Sequence, residues 1–206
     1  MRSSISSRLS DVASALLVDA SESDRAFAAE YVCAYPTPLL ERLVAAECRI
    51  RPLARRERYR DASPALQRLG IDVDGWPVSP AGLFVVEESA VYLRSTSPMT
   101  VCHEAGHALD CALGGGIYRS SSDRAIRRAF SDARGFVTPY AASALDEYFA
   151  ENIRAFVGAN DAASLWPTVS PERLKAIDPA MFEIVAAIFA DLAERADCAQ
   201  ISPTPP

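Results

Sequence analysis

Apolar and polar positions follow two different periods along this chain. Over residues 98–113, Val101, Ala105, Ala108 and Ala112 fall at i, i+4, i+7 and i+11, the spacing of one helical face. His103, His107, Asp110 and Gly114 form a separate polar stripe on the same helix. Ser97-Pro98 predicts an N-cap followed by proline in the first turn. Gly114-Gly115-Gly116 supplies the backbone freedom that ends the helix. A second helical period, Phe149, Ile153, Phe156 and Val157, predicts a core-facing stripe over 142–157 and turns Glu147 and Glu151 together to another side. Further helices are expected over 24–34, 37–46, 121–134 and 179–196, with 55–69 helical in parts.

The period changes between residues 83 and 93. Leu83–Val86 and Val91–Leu93 are rich in β-branched and aromatic residues, and Glu87-Glu88-Ser89-Ala90 joins them as a hairpin turn. Residues 48–53 read as another strand, and 75–82, with two prolines and two glycines, as a loop. The predicted class is α+β: a small antiparallel or mixed sheet with several helices.

Composition narrows this picture. The 206 residues, 50% apolar, suffice for one sizeable core without covalent staples. We expect a loose N-terminal segment over 1–20, one domain over 21–200 and a Pro-rich tail over 201–206. A formal net charge of -6 argues against a nucleic-acid partner, and the basic run Arg49–Arg60 reads as a solvated face. No apolar run is long enough to suggest a membrane span or a secretory leader. Five scattered cysteines, without a CxxC pair, favour a reducing compartment, so a cytoplasmic, bacterial setting is expected, with export as an effector left open. Cys102 precedes His103 but points about 100° away on a helix, which suits a small buried residue better than a ligand.

The chemistry concentrates in residues 103–107, His-Glu-Ala-Gly-His. Histidines at i and i+4 stand one turn apart on one side of a helix and can share a metal ion. The glutamate after the first lies beside that ion, where it can take a proton from water. The chain contains only these two histidines, so chance rarely produces the pattern here. A third ligand must then be an acid or a cysteine. The best candidates lie in 138–157, where Glu147 and Glu151 share a side of an otherwise largely apolar helix. Asp110, one turn beyond His107, is a candidate to accept a hydrogen bond beside the site.

These residues carry a resemblance. HEAGHALD (103–110) followed by TPYAASALDEYFAE (138–151) resembles the catalytic core of the anthrax lethal factor type of zinc metallopeptidase, with the Mlc titration factor A peptidases and the Pro-Pro endopeptidases as relatives. The resemblance covers about residues 80–160 and implies a zincin-like fold and a gluzincin-like Zn2+ site. It makes His103, His107 and Glu147 the metal ligands, Glu104 the general base and Tyr140 the donor to the oxyanion, with Tyr118 a rival. Glu151 becomes a carboxylate that supports a metal ligand without touching the metal. Val91, Tyr92 and Leu93 become the edge strand that binds an extended peptide substrate.

The implied activity is zinc-dependent endopeptidase action on a protein or peptide. Two alternatives stand beside it: a catalytically idle metal-binding regulatory or partner-binding module on a peptidase fold, and a secreted or injected effector protease with one narrow target. Substrate preference, oligomeric state and the role of residues 1–80 stay open.

Overall fold

The structure, a computed structural model, describes residues 11–32 and 35–201, the side chains of 195–201 excepted. The expectations for residues 1–10, for 202–206 and for the end of the first predicted helix at 33–34 lie outside the described residues. Residues 11–17, expected to be loose, are part of the fold. They are helical over 11–16, bury Ala13, Leu16 and Leu17, and form an isolated parallel bridge from Leu17 to Ile50.

The elements then follow as α1 (Glu22–Val32), α2 (Thr37–Ala45), β1 (Arg49–Pro52), α3 (Tyr59–Ala62), α4 (Pro64–Leu69), β2 (Gly82–Val85), β3 (Ala90–Leu93) and α5 (Pro98–Leu113). Beyond these come α6 (Arg124–Asp132), α7 (Leu145–Val157), α8 (Pro171–Ile177) and α9 (Pro179–Ile201). The α+β class is the one expected. Local signals set the ends of α5 as predicted. The Ser97 hydroxyl accepts from the Thr100 amide, Pro98 occupies the first turn, and the chain turns through positive φ at Gly115 (72°) and Gly116 (102°). The short α8, opened by Ser170 as N-cap and Pro171, has no counterpart in the sequence reading.

The sheet is mixed, with strand order β1-β3-β2. β1 runs parallel to β3, with Ile50 opposite Val91, and β2 runs antiparallel to β3, with Phe84 opposite Val91. This corrects one expectation. Val91, Tyr92 and Leu93 lie on the central strand, hydrogen-bonded on both sides, so their backbone has no free edge to offer a substrate. All four residues of β3 are buried because the sheet is covered on both faces. Val91 and Leu93 join the main core with Ile50, Phe84 and α5. Ala90 and Tyr92 face a second apolar cluster with Tyr59, Leu66 and Val73.

Two helices position the histidines and the acids, and they pack unusually closely. A Cβ added at Gly106 of α5 would lie 2.9 Å from Ala150 Cα and 3.2 Å from Ala150 O on α7. Only hydrogen at 106 lets the two backbones approach this far. Gly106→Ala is therefore expected to lower stability by about 1–3 kcal/mol through overpacking, despite a gain of up to ~1 kcal/mol in helix propensity. Urea unfolding checks this. A midpoint at or above that of the parent protein would show that α5 and α7 separate without cost.

Candidate metal centre

Helix α5 carries His103 and His107 one turn apart, and α7 brings Glu147 to them from its own first turn. His103 Nε2 and His107 Nε2 lie 3.1 Å apart. Glu147 Oε2 stands 3.1 Å from the first and 3.2 Å from the second. These three atoms form a nearly equilateral triangle. Adjacent ligands of a tetrahedral ion with bonds of about 2.0–2.1 Å stand about 3.3 Å apart, so the donor set fits such an ion. Glu147 Oε2 is buried and has no hydrogen-bond partner among the described residues, although two ring nitrogens lie near it. An orphaned anionic oxygen aimed at two imidazoles is what a cation site needs. Among the described residues, His103, His107 and Glu147 form a group that can hold a metal ion.

Glu151, one turn beyond Glu147 on α7, serves the same imidazole from its other side. Glu151 Oε1 accepts from His103 Nδ1 at 2.9 Å, which fixes the ring with its Nε2 directed at the triangle. Glu151 is itself fixed. Arg154, only 1% exposed, donates to both of its oxygens at 2.9 Å, and the Thr138 hydroxyl donates to Oε2 at 2.6 Å. Burial disfavours the Glu151 carboxylate, but His103 and Arg154 outweigh it and hold the group well below the usual carboxylate range. In the metal-free protein burial likewise acts against a charge on His103, yet Glu147 and Glu151 push it up to about 10. Glu151→Gln keeps the shape and removes the charge. It is expected to weaken metal affinity about 10–100-fold, measured by competition with a chelating dye. Unchanged affinity would mean that Glu151 serves the packing of α7 alone.

Glu104 lies beside the triangle and is 7% exposed. Burial pushes its carboxyl up, against the pull of His103, His107 and the Phe84 backbone amide. Strand β2 closes over it so tightly that a Cβ at Gly82 would sit 2.5 Å from Glu104 Cγ. Two tyrosines flank the histidines. The Tyr140 hydroxyl donates to Glu147 Oε1 at 2.8 Å, and its ring lies 5.5 Å from that of His103. The Tyr118 ring lies 5.9 Å from that of His107. Both histidines are nearly buried: His103 is 9% and His107 6% exposed.

Asp110 departs from its expected place. Its oxygens accept from the Ser120 amide at 2.8 Å and the Ser120 hydroxyl at 2.5 Å, while His107 Nδ1 has no partner among the described residues. Asp110 ties down the loop that carries Tyr118; its hydrogen bonds go to Ser120 and to neither histidine. Cys102 is fully buried, with its thiol toward the Tyr31 carbonyl, as the helix geometry suggests. Arg154, Thr138 and Gly82 were not found from sequence. A glycine opening a strand signals close backbone approach, and an arginine three residues after Glu151 on an apolar helix signals an ion pair.

No protein-family model matches this chain, and no curated protein matches it. Among solved structures, it is similar to the Pro-Pro endopeptidase PPEP-2 from Paenibacillus alvei, with a TM-score of 0.62. The likeness covers 86% of this chain and 99% of that one, at 18% sequence identity. The two share a fold. Among the described residues, no helix is long and apolar enough to cross a membrane.

Proposed function

We propose that this chain is a zinc-dependent endopeptidase in which His103, His107 and Glu147 hold the metal and Glu104 is the general base. One observation carries the reading: three donor atoms from two helices converge at 3.1–3.2 Å with a buried carboxylate beside them. The fold shared with a Pro-Pro endopeptidase supports it. A zinc ion held there supplies Lewis-acid polarisation of the scissile carbonyl and a lowered pKa for water.

The protein's own groups do the rest. Glu104 takes the proton from the attacking water and later passes it to the departing amine nitrogen. Its buried setting favours the protonated intermediate form. Tyr140 turns its O–H from Glu147 toward the developing oxyanion. Glu151, locked by Arg154, keeps the His103 ring in one orientation. The peptide lies in extended form along β2, the strand that ends the sheet over Glu104, rather than along β3.

The idle-module alternative has less support, because Glu104 and Tyr140 both stand at the triangle. The test is metal analysis of the purified protein together with cleavage of a random peptide library. About one zinc per chain is expected, with cleavage that a chelator abolishes and zinc restores. Bound zinc with no cleavage of any peptide would overturn the peptidase reading and leave a metal-binding module.

A further inference from the structure

The segment between α7 and α8 displays two large apolar side chains to solvent. Leu165 is fully exposed and Trp166 is 47% exposed. Isolated exposed apolar residues are ordinary. These two are neighbours in sequence, and Trp166 adjoins the candidate site. The Trp166 ring meets the Tyr140 ring edge-on at 6.0 Å, and Tyr140, itself 42% exposed, stands 5.5 Å from His103. Two ring-to-ring steps thus link Trp166 to the candidate metal ligands, a span that an extended peptide crosses in about three to four residues.

The segment is held in place. Asn160 closes its base, donating to the Val169 carbonyl at 2.8 Å and accepting from the Val169 amide at 2.8 Å. Within it, Asp161 accepts from the Ala163 amide at 2.9 Å, and the Trp166 amide donates to the Ser164 hydroxyl at 3.1 Å. The Ser164 hydroxyl also lies 3.9 Å from Met99 Sδ at the start of α5. The pair is therefore presented from a pinned turn, anchored next to the helix that bears the histidines. Presentation of this kind lowers the entropy lost when a ligand binds.

We propose that Leu165 and Trp166, with the Tyr140 ring, form the subsite that receives a bulky apolar side chain of the peptide substrate, within a few residues of the cleaved bond. The inference rests on the peptidase reading above. Continuity selects the occupant: Tyr140 belongs both to the apolar surface and to the candidate site, so whatever covers this surface also reaches the triangle. Rigid aromatic surface beside a few polar groups is the usual composition of a specificity pocket. An apolar side chain laid against Trp166 would remove both from water, whereas a small one would leave the ring wet.

The experiment compares zinc-loaded parent protein, Trp166→Ala, Leu165→Ala and Trp166→Phe on a peptide library in which one position at a time carries alanine, leucine or phenylalanine. The readout is the ratio of kcat/KM for the bulky residue to that for alanine at each position. The parent is expected to favour leucine or phenylalanine at one position. That ratio should fall about tenfold or more in Trp166→Ala, fall less in Leu165→Ala, and persist in Trp166→Phe. If all four proteins cleave with the same preference, the subsite is refuted and the peptidase reading stands. If the zinc-loaded parent cleaves no peptide, both fall together. An equal loss on every peptide in Trp166→Ala also overturns the proposal, because it marks a structural role.

Discussion

Glu104→Gln is expected to lower peptide hydrolysis by about two to four orders of magnitude while leaving metal content unchanged. General-base catalysis is worth that much when the base is well placed. The amide has the shape of the carboxylate, so it fits the same space beneath Gly82. It cannot accept the proton. The three atoms of the candidate metal triangle belong to other side chains and keep their positions.

The same substitution also has an expected effect on stability. Burial pushes the Glu104 carboxyl up, so the metal-free fold bears the cost of a poorly solvated charge. Replacing it with a neutral amide removes that cost. The metal-free Gln variant should melt at or above the temperature of the parent, as happens where a functional site trades stability for activity. Steady-state rates, zinc stoichiometry and thermal melts of one preparation make the three measurements. A Gln variant with full zinc that keeps more than about a tenth of the parent's activity would show that another group takes the proton.

The parts of the fold that were legible in the sequence are those with local causes. Ser97-Pro98 and the glycine run bound α5 because caps and turns act within a few residues. The β2–β3 hairpin was legible for the same reason. The place of β3 in the sheet was not. It depends on β1, some forty residues earlier, returning to lie parallel along the far side, and such a pairing leaves no local mark.

The site divides in the same way. The i, i+4 spacing of His103 and His107 fixes their shared side on any helix. Glu147 and Glu151 have that spacing too, and periodicity alone treats them alike. Packing separates them. One turn of α7 is about 5.4 Å, enough to set Glu147 against Nε2 of His103 and Glu151 against Nδ1 of the same ring. Asp110 shares the histidine stripe, but the loop that doubles back after Gly116 claims its oxygens through Ser120. Which group captures a helix side chain is decided by such non-local returns. Leu165 and Trp166 were missed because a loop has no period to read.

Glu147→Ala is expected to abolish tight zinc binding, an effect larger than that of Glu151→Gln because it removes a donor rather than the group that orients one. In the metal-free protein burial would raise the Glu147 carboxyl, but the neighbouring His103 and His107 hold it well below the usual carboxylate range. It therefore stands ionised and ready to bind a cation at neutral pH. Without it two imidazoles remain, fewer than the three protein ligands of a catalytic zinc site. Affinity should weaken by more than the roughly 10–100-fold associated with an outer partner. Thermal stability reads this independently of activity. At a free zinc concentration of about 100 times the parent's Kd, binding stabilises the parent by about 2.7 kcal/mol, and a 100-fold weaker variant by only about 0.4 kcal/mol. Glu147 is part-exposed in the first turn of α7, so its truncation leaves the core between α5 and α7 in place. A zinc-dependent gain in melting temperature as large in Glu147→Ala as in the parent would remove Glu147 from the ligand set and, with it, the geometric basis of the proposed centre.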